Sequence, residues 1–374
     1  MRRILLMGYF GAGNFGDEAL LCDWLKRRRG WMESENLKAD VISNGGDLLG
    51  GFAEGDGHKQ LVHAEIPKKR ALKVNPREYA ALIAPGGSLL QDATSVRSLL
   101  LYLLLLRRFH ARGVRTFMLN QGIGPLNSWL AGFYTPRQLA GCTMLSLRDT
   151  ESHDYCLRNG FLSTHRGLAY SADPIIAAQF EPVEPAAAPV TDGPYALVIP
   201  RRTGDLPTPV DPLEESAALA VLLEHCAEVT GLETVLLPVH PAHDGEFCRS
   251  VAAVLQGKPE VIEYAPGTPH PFSRIWQAIA GASLVISYRL HGLVAAAAHS
   301  VPAIGVAYDP KVSSLCNELG LPYCFPATVH ETDSLDDLRR LWNSRASVVE
   351  YMNSQREGMI RRLDASEEKF DELW

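Results

Sequence analysis

The sequence predicts an α/β protein of two domains, each a parallel sheet flanked by helices. Three observations carry this. The chain has 374 residues, more than one hydrophobic core of ordinary size serves. Short apolar runs that stop abruptly at glycine or polar residues alternate with helical stretches, as buried parallel strands joined by helices do. The alternation lapses once, in a proline-rich stretch at 181–194, and then restarts.

Residues 1–180 form the first expected domain. Ile4–Met7 reads as a strand, Gly8–Gly16 as a glycine-rich turn and Asp17–Arg29 as a helix with an apolar stripe. Ala39–Ser43, Ala80–Ala84, Thr116–Asn120 and Met144–Ser146 read as further strands. The run Leu99–Leu106 ends at Arg107-Arg108, far short of the roughly 20 apolar residues that a membrane span needs. It is expected as a buried helix, with a surface that meets lipid or another subunit as the alternative. Residues 181–194 form a linker stiffened by its prolines.

The second domain, 195–340, begins with the strand Tyr195–Ile199 and the helix Pro212–Thr230. The strand Glu233–Pro238, a helix near Glu246–Gln256 and the strands Ala282–Ser287 and Ala303–Tyr308 follow. Residues 341–374 read as a helix whose Met359, Ile360, Leu363, Phe370 and Leu373 pack back onto the first domain. Glu331-Thr332-Asp333-Ser334 offers cap residues before it.

Composition bounds the function. A chain 46% hydrophobic and 21% charged reads as soluble and globular, and its net charge of −7 argues against non-specific nucleic-acid binding. Seven scattered cysteines without a C-x-x-C imply neither a zinc site nor a disulfide framework, so a cytoplasmic protein is expected. Met1-Arg2-Arg3 before Ile4–Met7 resembles the start of a signal peptide, but the apolar run stops at Gly8.

Four motifs fall at the carboxyl ends of first-domain strands, where open sheets bind ligands. Gly11-x-Gly13-x-x-Gly16 has dinucleotide-fingerprint spacing, and Asn14 and Asp17 belong to the same turn. No strand ending in an acidic residue follows at the right distance. Asp40 sits at a strand start and Asp47 follows Gly45-Gly46, so NAD or FAD is not expected. Backbone N–H groups at this helix start would instead hold some other polar or anionic ligand.

Gly87, Ser88, Gln91 and Asp92 lie in a strand–turn–helix motif after Ala84, and Asn120-Gln121-Gly122-Ile123-Gly124-Pro125 is the third such turn. Arg148, in Leu147-Arg148-Asp149-Thr150-Glu151-Ser152, opens a helix and opposes its macrodipole, which reads as an anion ligand.

In the second domain, His240, His243 and Asp244 follow a strand and read as capping and hydrogen-bonding residues rather than a metal site. Ser287-Tyr288-Arg289-Leu290-His291-Gly292 and Asp309-Pro310-Lys311 place an arginine, a histidine and a lysine after two consecutive strands. Three nitrogen cations with one imidazole among them suit a small, multiply anionic substrate that needs proton transfer.

Taken in order, these motifs resemble the polysaccharide pyruvyl transferase family. The resemblance runs from Gly8-Tyr9-x-Gly11-x-Gly13-Asn14-x-Gly16-Asp17-Glu18 through Gly86–Asp92, Gln121–Pro125, Arg148-Asp149-x-x-Ser152 and Ala172-Asp173-Pro174. It closes with Arg289-Leu290-His291 and Tyr308–Val312. Pro85 and Asn120 depart from the family, standing where glycines are usual, and Ser283 stands where an aspartate often does.

The resemblance implies a GT-B-like fold, two Rossmann-like domains facing across a cleft. It also implies transfer of pyruvate from phosphoenolpyruvate to a saccharide, a cell-wall polysaccharide precursor, as a cyclic ketal with release of phosphate. His291, Arg148 and Lys311 would be catalytic, and Arg289 and Leu290 would bind the donor. Gly11, Gly13, Asn14, Asp17, Gly87, Ser88, Gln91 and Asp92 would line the acceptor side. A carboxylate and a phosphate on one donor need several cations, and a proton must reach C3 before C2 becomes electrophilic. The scheme requires no metal and no organic cofactor. The acceptor would be a free or lipid-linked saccharide, with peripheral contact at the inner face of the cytoplasmic membrane at most. The alternatives are a GT-B nucleotide-sugar glycosyltransferase and a non-catalytic saccharide-binding descendant.

Overall fold

The computed structural model describes residues 2–45, 58–93, 95–160, 165, 167–180, 190–202, 212–255, 259–263, 271–322, 324–326 and 331–374. Most of the proline-rich stretch, 181–189, and Asp47 lie outside them. The chain divides into two compact units, Met1–Pro174 with Met359–Trp374, and Ile175–Gly358.

The first unit's strands are β1 (Arg2–Phe10), β2 (Leu37–Ser43), β3 (Val62–Pro67), β4 (Ala81–Ala84), β5 (Gly87–Leu90), β6 (Arg115–Ile123), β7 (Met144–Leu147) and β8 (Leu168–Tyr170). Among the described residues they form a parallel sheet in the order β3-β2-β1-β4-β6-β7-β8, with β5 beside β6. Strand Ala81–Ala84 and the Ile4–Met7 part of β1 are buried along their whole length, which is why they read as unbroken apolar runs. The long helix Glu331–Leu373 passes across residue 340 without a break, and its Met359, Leu363 and Phe370 are buried.

Three of the segments that differ from the sequence reading shape the carboxyl edge of this sheet. β1 runs on to Phe10, because Asn44 donates to the Phe10 carbonyl from its backbone N–H at 2.8 Å and its side-chain amide at 3.0 Å. Gly87–Leu90 is a strand rather than a turn entering a helix; the helix starts at Val96, where the Ser95 hydroxyl accepts from the Ser98 N–H. β6 extends through Ile123, so Gln121 and Gly122 belong to the strand and not to a turn.

The second unit's strands are β9 (Tyr195–Ile199), β10 (Glu233–Leu236), β11 (Glu260–Val261), β12 (Leu284–Ser287), β13 (Ala303–Ala307) and β14 (Cys324–Pro326). Their order is β11-β10-β9-β12-β13-β14, all parallel. Both sheets thus carry the doubly wound order, and each has a switch point where successive connections leave in opposite directions. In the first unit it lies between β1 and β4, and in the second between β9 and β12.

Candidate functional site

The second unit gathers charge at its switch point. β12 ends at Ser287, whose hydroxyl accepts from the Arg289 N–H at 3.0 Å and donates to the Arg289 carbonyl at 2.8 Å. This pins the backbone of Arg289 just before the helix Leu290–Ala298. A Cβ at Gly292 would stand 2.3 Å from the Ser287 hydroxyl, so only glycine admits the turn there. Leu290 and His291 open that helix.

On neighbouring β13 the same construction recurs. Asp309 caps the helix Pro310–Leu319 by accepting from the Lys311 N–H at 2.9 Å, with Pro310 at the first helical position. Asp309-Pro310 is therefore the capping device that puts Lys311 in the first turn of its helix.

Arg289 is held from the side. Its guanidinium pairs with Asp244, a fully buried carboxylate that also accepts from the His240 N–H at 3.2 Å. Its Nε is buried with no hydrogen-bond partner among the described residues. Burial pushes the Asp244 carboxyl up, and the neighbouring Arg289 and Arg201 draw it only part of the way back. Burial, His243, Arg289 and Arg201 together push the His240 imidazole down to about 4.

His240 and His243 stack edge to face with centroids 4.3 Å apart, and Asp244 is committed to Arg289. Among the described residues no group of three or more histidine, cysteine or carboxylate side chains is arranged to hold a metal.

Arg201 escaped sequence reasoning, as did the contacts that tie Tyr308 to Arg201 and Asp244 to Arg289. Arg201 follows β9 at the switch point, lies 4.6 Å over the Tyr308 ring and hydrogen-bonds its hydroxyl. The signal was present, since the rule applied to Arg289 and Lys311 picks out the first cation beyond Ile199 equally well. Asp244 reads as a hydrogen-bonding residue, but its partner carried no signal, because only the fold brings it to a residue 45 positions away.

In the first unit two expectations are corrected. The glycine turn does not hold out its N–H groups to an external anion: Glu18 Oε1 accepts from the Gly11 N–H at 2.8 Å and the Gly13 N–H at 3.3 Å. Both glycines have a φ of 73°, which lets the loop wrap that carboxylate. Burial, with Asp17 adding to it, pushes the Glu18 carboxyl up to about 8 against the pull of those N–H groups. Asn14 bonds the Asp17 carboxylate. Asp40 lies within β2, where it receives Arg3, Tyr79 and His63 rather than a ribose.

Arg148 is the second correction. Its guanidinium is buried and donates to Asp149 at 3.2 Å, Asp173 at 3.1 Å and the Ser88 hydroxyl at 2.8 Å. Burial weakens its hold on the proton, and Asp173 and Asp149 reverse that, raising the guanidinium above its ordinary value. Two carboxylates of this chain thus supply the anions that an arginine at a helix start calls for. A Cβ at Gly122 would meet the Ser88 hydroxyl at 2.5 Å, so Gly122 makes room for this contact behind Gly87.

Asp92 accepts from the N–H groups of Asn127 and Ser128, each at 2.7 Å. Burial pushes its carboxyl up, but these bonds outweigh that and hold it below the usual carboxylate range. It ties down the loop before the helix Trp129–Leu139. Gln91 sits one residue earlier, just past β5.

Two doubly wound parallel sheets, with ligand-type residues at their carboxyl edges, define a GT-B-type α/β protein. The model of the polysaccharide pyruvyl transferase family matches residues 14–310, and the chain belongs to that family. Solved structures with the same fold include an S. aureus MnaA–UDP co-structure, at 12% identity and a TM-score of 0.63, covering 95% of this chain and 91% of that one. A UDP-GlcNAc 2-epimerase from Methanocaldococcus jannaschii matches at 11% identity and a TM-score of 0.60, covering 98% and 100%. Anabaena Alr3699/HepE, solved with UDP-glucose, matches at 11% identity and a TM-score of 0.54 over the whole of both chains. A search of curated proteins returned no match.

Proposed function

We propose that this chain transfers pyruvate from phosphoenolpyruvate to two hydroxyls of a saccharide, forming a cyclic ketal and releasing inorganic phosphate. The observation that carries this reading is the set Arg201, Arg289, His291 and Lys311 at neighbouring carboxyl ends of β9, β12 and β13, in a member of a pyruvyl transferase family. Arg289 and Lys311 neutralise the donor's carboxylate and phosphate. His291 delivers a proton to C3 of the enol ether or assists the departing phosphate. One sugar hydroxyl adds at C2, phosphate leaves with the C2–O bond electrons, and the second hydroxyl closes the ring.

Arg148 acts here as a positioning residue, fixing Ser88 and the first-unit rim where the saccharide binds. The acceptor in this reading is a cell-wall polysaccharide precursor, free or lipid-linked. Neither metal nor organic cofactor takes part in the scheme.

Incubation with phosphoenolpyruvate and a panel of saccharides, following phosphate release and acid-labile pyruvate on the sugar, tests this directly. Saccharide-dependent phosphate release with ketal-bound pyruvate is expected. Release of nucleotide from UDP-sugars, without turnover of phosphoenolpyruvate, would instead establish a glycosyltransferase. Saccharide binding with neither activity would establish a non-catalytic descendant.

A further inference from the structure

Between Asp92 and Asp149 the chain has no aspartate or glutamate, although it holds 43 of them in all. The same stretch carries Arg97, Arg107, Arg108, Arg112 and Arg137, all exposed. Besides β6 and β7 it forms two surface helices of the first unit, Val96–His110 and Trp129–Leu139, which pack on each other, with Arg112 in the turn just after the first. An acidic protein therefore presents one face whose two helices bear only positive charge.

That face is also apolar. Trp129 is 76% exposed, Phe133 44% and Leu104 45%, with Tyr134 and Val96 exposed beside them. Trp129, Phe133 and Arg137 follow at four-residue spacing, one stripe about 12 Å long at the rise of an α-helix. The Arg137 guanidinium lies 3.5 Å over the Phe133 ring, an aromatic body with a cation at its tip. Tryptophan and tyrosine favour the boundary between hydrocarbon and water, and arginines beside them meet anionic headgroups. Neither helix is long and apolar enough to cross a membrane.

We propose that this two-helix face docks the protein on an anionic lipid bilayer, Trp129 and Phe133 entering the headgroup boundary and the arginines meeting lipid phosphates. A second copy of the chain is the poorer occupant, since two helices without carboxylates set against their own copies bring like charges together. Leu104 and Val96 favour lipid over nucleic acid, whose backbone offers them no apolar partner. The inference stands on this surface alone and does not depend on the donor chemistry.

The full chain is tested by co-sedimentation with vesicles of phosphatidylcholine and of phosphatidylcholine with phosphatidylglycerol. Binding at least tenfold tighter to the anionic vesicles, and weakening with salt, is expected. Trp129→Ser with Phe133→Ser should lose at least fivefold in binding, and Arg107→Glu with Arg112→Glu should lose most of the anionic preference. All four side chains are exposed, so both variants should melt with the parent. Equal binding to both vesicle types, or variants that bind like the parent, would overturn the proposal. It also fails if an oligonucleotide binds this face more tightly than the vesicles do. Self-association that the variants abolish, with no vesicle binding, would assign the face to a second copy.

Discussion

The side-chain amide of Asn120 donates to the carbonyl of Pro85 across 3.3 Å, joining the two positions where this chain carries something other than the expected glycine. Asn120 has a φ of 51°, a left-handed conformation that asparagine tolerates better than most residues. Its Oδ1 accepts from Ser171 at 2.7 Å and from Ser146 at 3.3 Å, so one buried amide ties β6 to its neighbours. Asn120→Gly keeps the conformation and loses these bonds, at an expected cost of about 1–3 kcal/mol. Asn120→Ala adds a strained φ and should melt lower still, by roughly a further 1 kcal/mol. Thermal unfolding of the two variants checks the order; alanine above glycine would contradict it.

Arg289 depends on Asp244 for its orientation. Arg289→Lys should raise the KM for phosphoenolpyruvate about tenfold, roughly 1.4 kcal/mol, because an ammonium cannot span both Asp244 and the donor as a planar fork does. Asp244→Asn, which leaves the guanidinium without its buried counter-charge, should lower kcat/KM while Arg289→Lys/Asp244→Asn costs less than the two singly. Additive losses in steady-state kinetics would show that the pair does not act as a unit.

His291→Gln should reduce turnover by at least a hundredfold, in the range that general acid–base groups contribute. Affinity for phosphoenolpyruvate by titration calorimetry should stay within about tenfold, because Arg289 and Lys311 remain. Unchanged turnover would move the proton donor elsewhere, with Lys311 the next side chain to replace.

Glu18 makes stability depend on pH. Its carboxyl, raised to about 8 in the folded chain, favours the protonated form, so its contribution is complete below the unfolded value of 4.5 and is lost as pH rises toward 8. Glu18→Gln preserves the oxygen that accepts from Gly11 and Gly13 without the titration. Its melting temperature should therefore gain on the parent steadily between pH 5 and 8, then hold a constant difference. A difference that does not vary with pH would show that Glu18 stays ionised.

Strands such as Tyr195–Ile199 were legible in the sequence to the residue, because a strand buried on both faces is a plain apolar run. The helix Pro212–Thr230 was equally plain. β5 was not, since Gly87 and Ser88 look like turn residues and only pairing with β6 makes them strand. The places of Arg289, His291 and Lys311 just beyond β12 and β13 could be read because position after a strand is a local property. The counter-charge roles of Asp244 and Asp173 could not, because a counter-charge is chosen by three-dimensional proximity, and Asp173 lies 25 positions from the Arg148 it neutralises. Glu18 illustrates the opposite error: a loop with the spacing to hold an external phosphate closes on its own carboxylate instead.

The assignment of Met359–Trp374 to the first unit bears on how the protein is made. That stretch brings Arg115 the Trp374 carbonyl, Arg28 the Asp371 carboxylate at 2.7 Å, and the Leu168 carbonyl a Lys369 ammonium at 2.7 Å. Phe370 sits between Phe117 and Trp31. On the ribosome, the first unit emerges early and yet waits, its core open at that seam, until the whole second unit has been translated. The second unit has no such delay. Residues translated after the whole second unit therefore complete the first, and a chain truncated after Gly358 would leave Arg28, Arg115 and the Leu168 carbonyl without these partners.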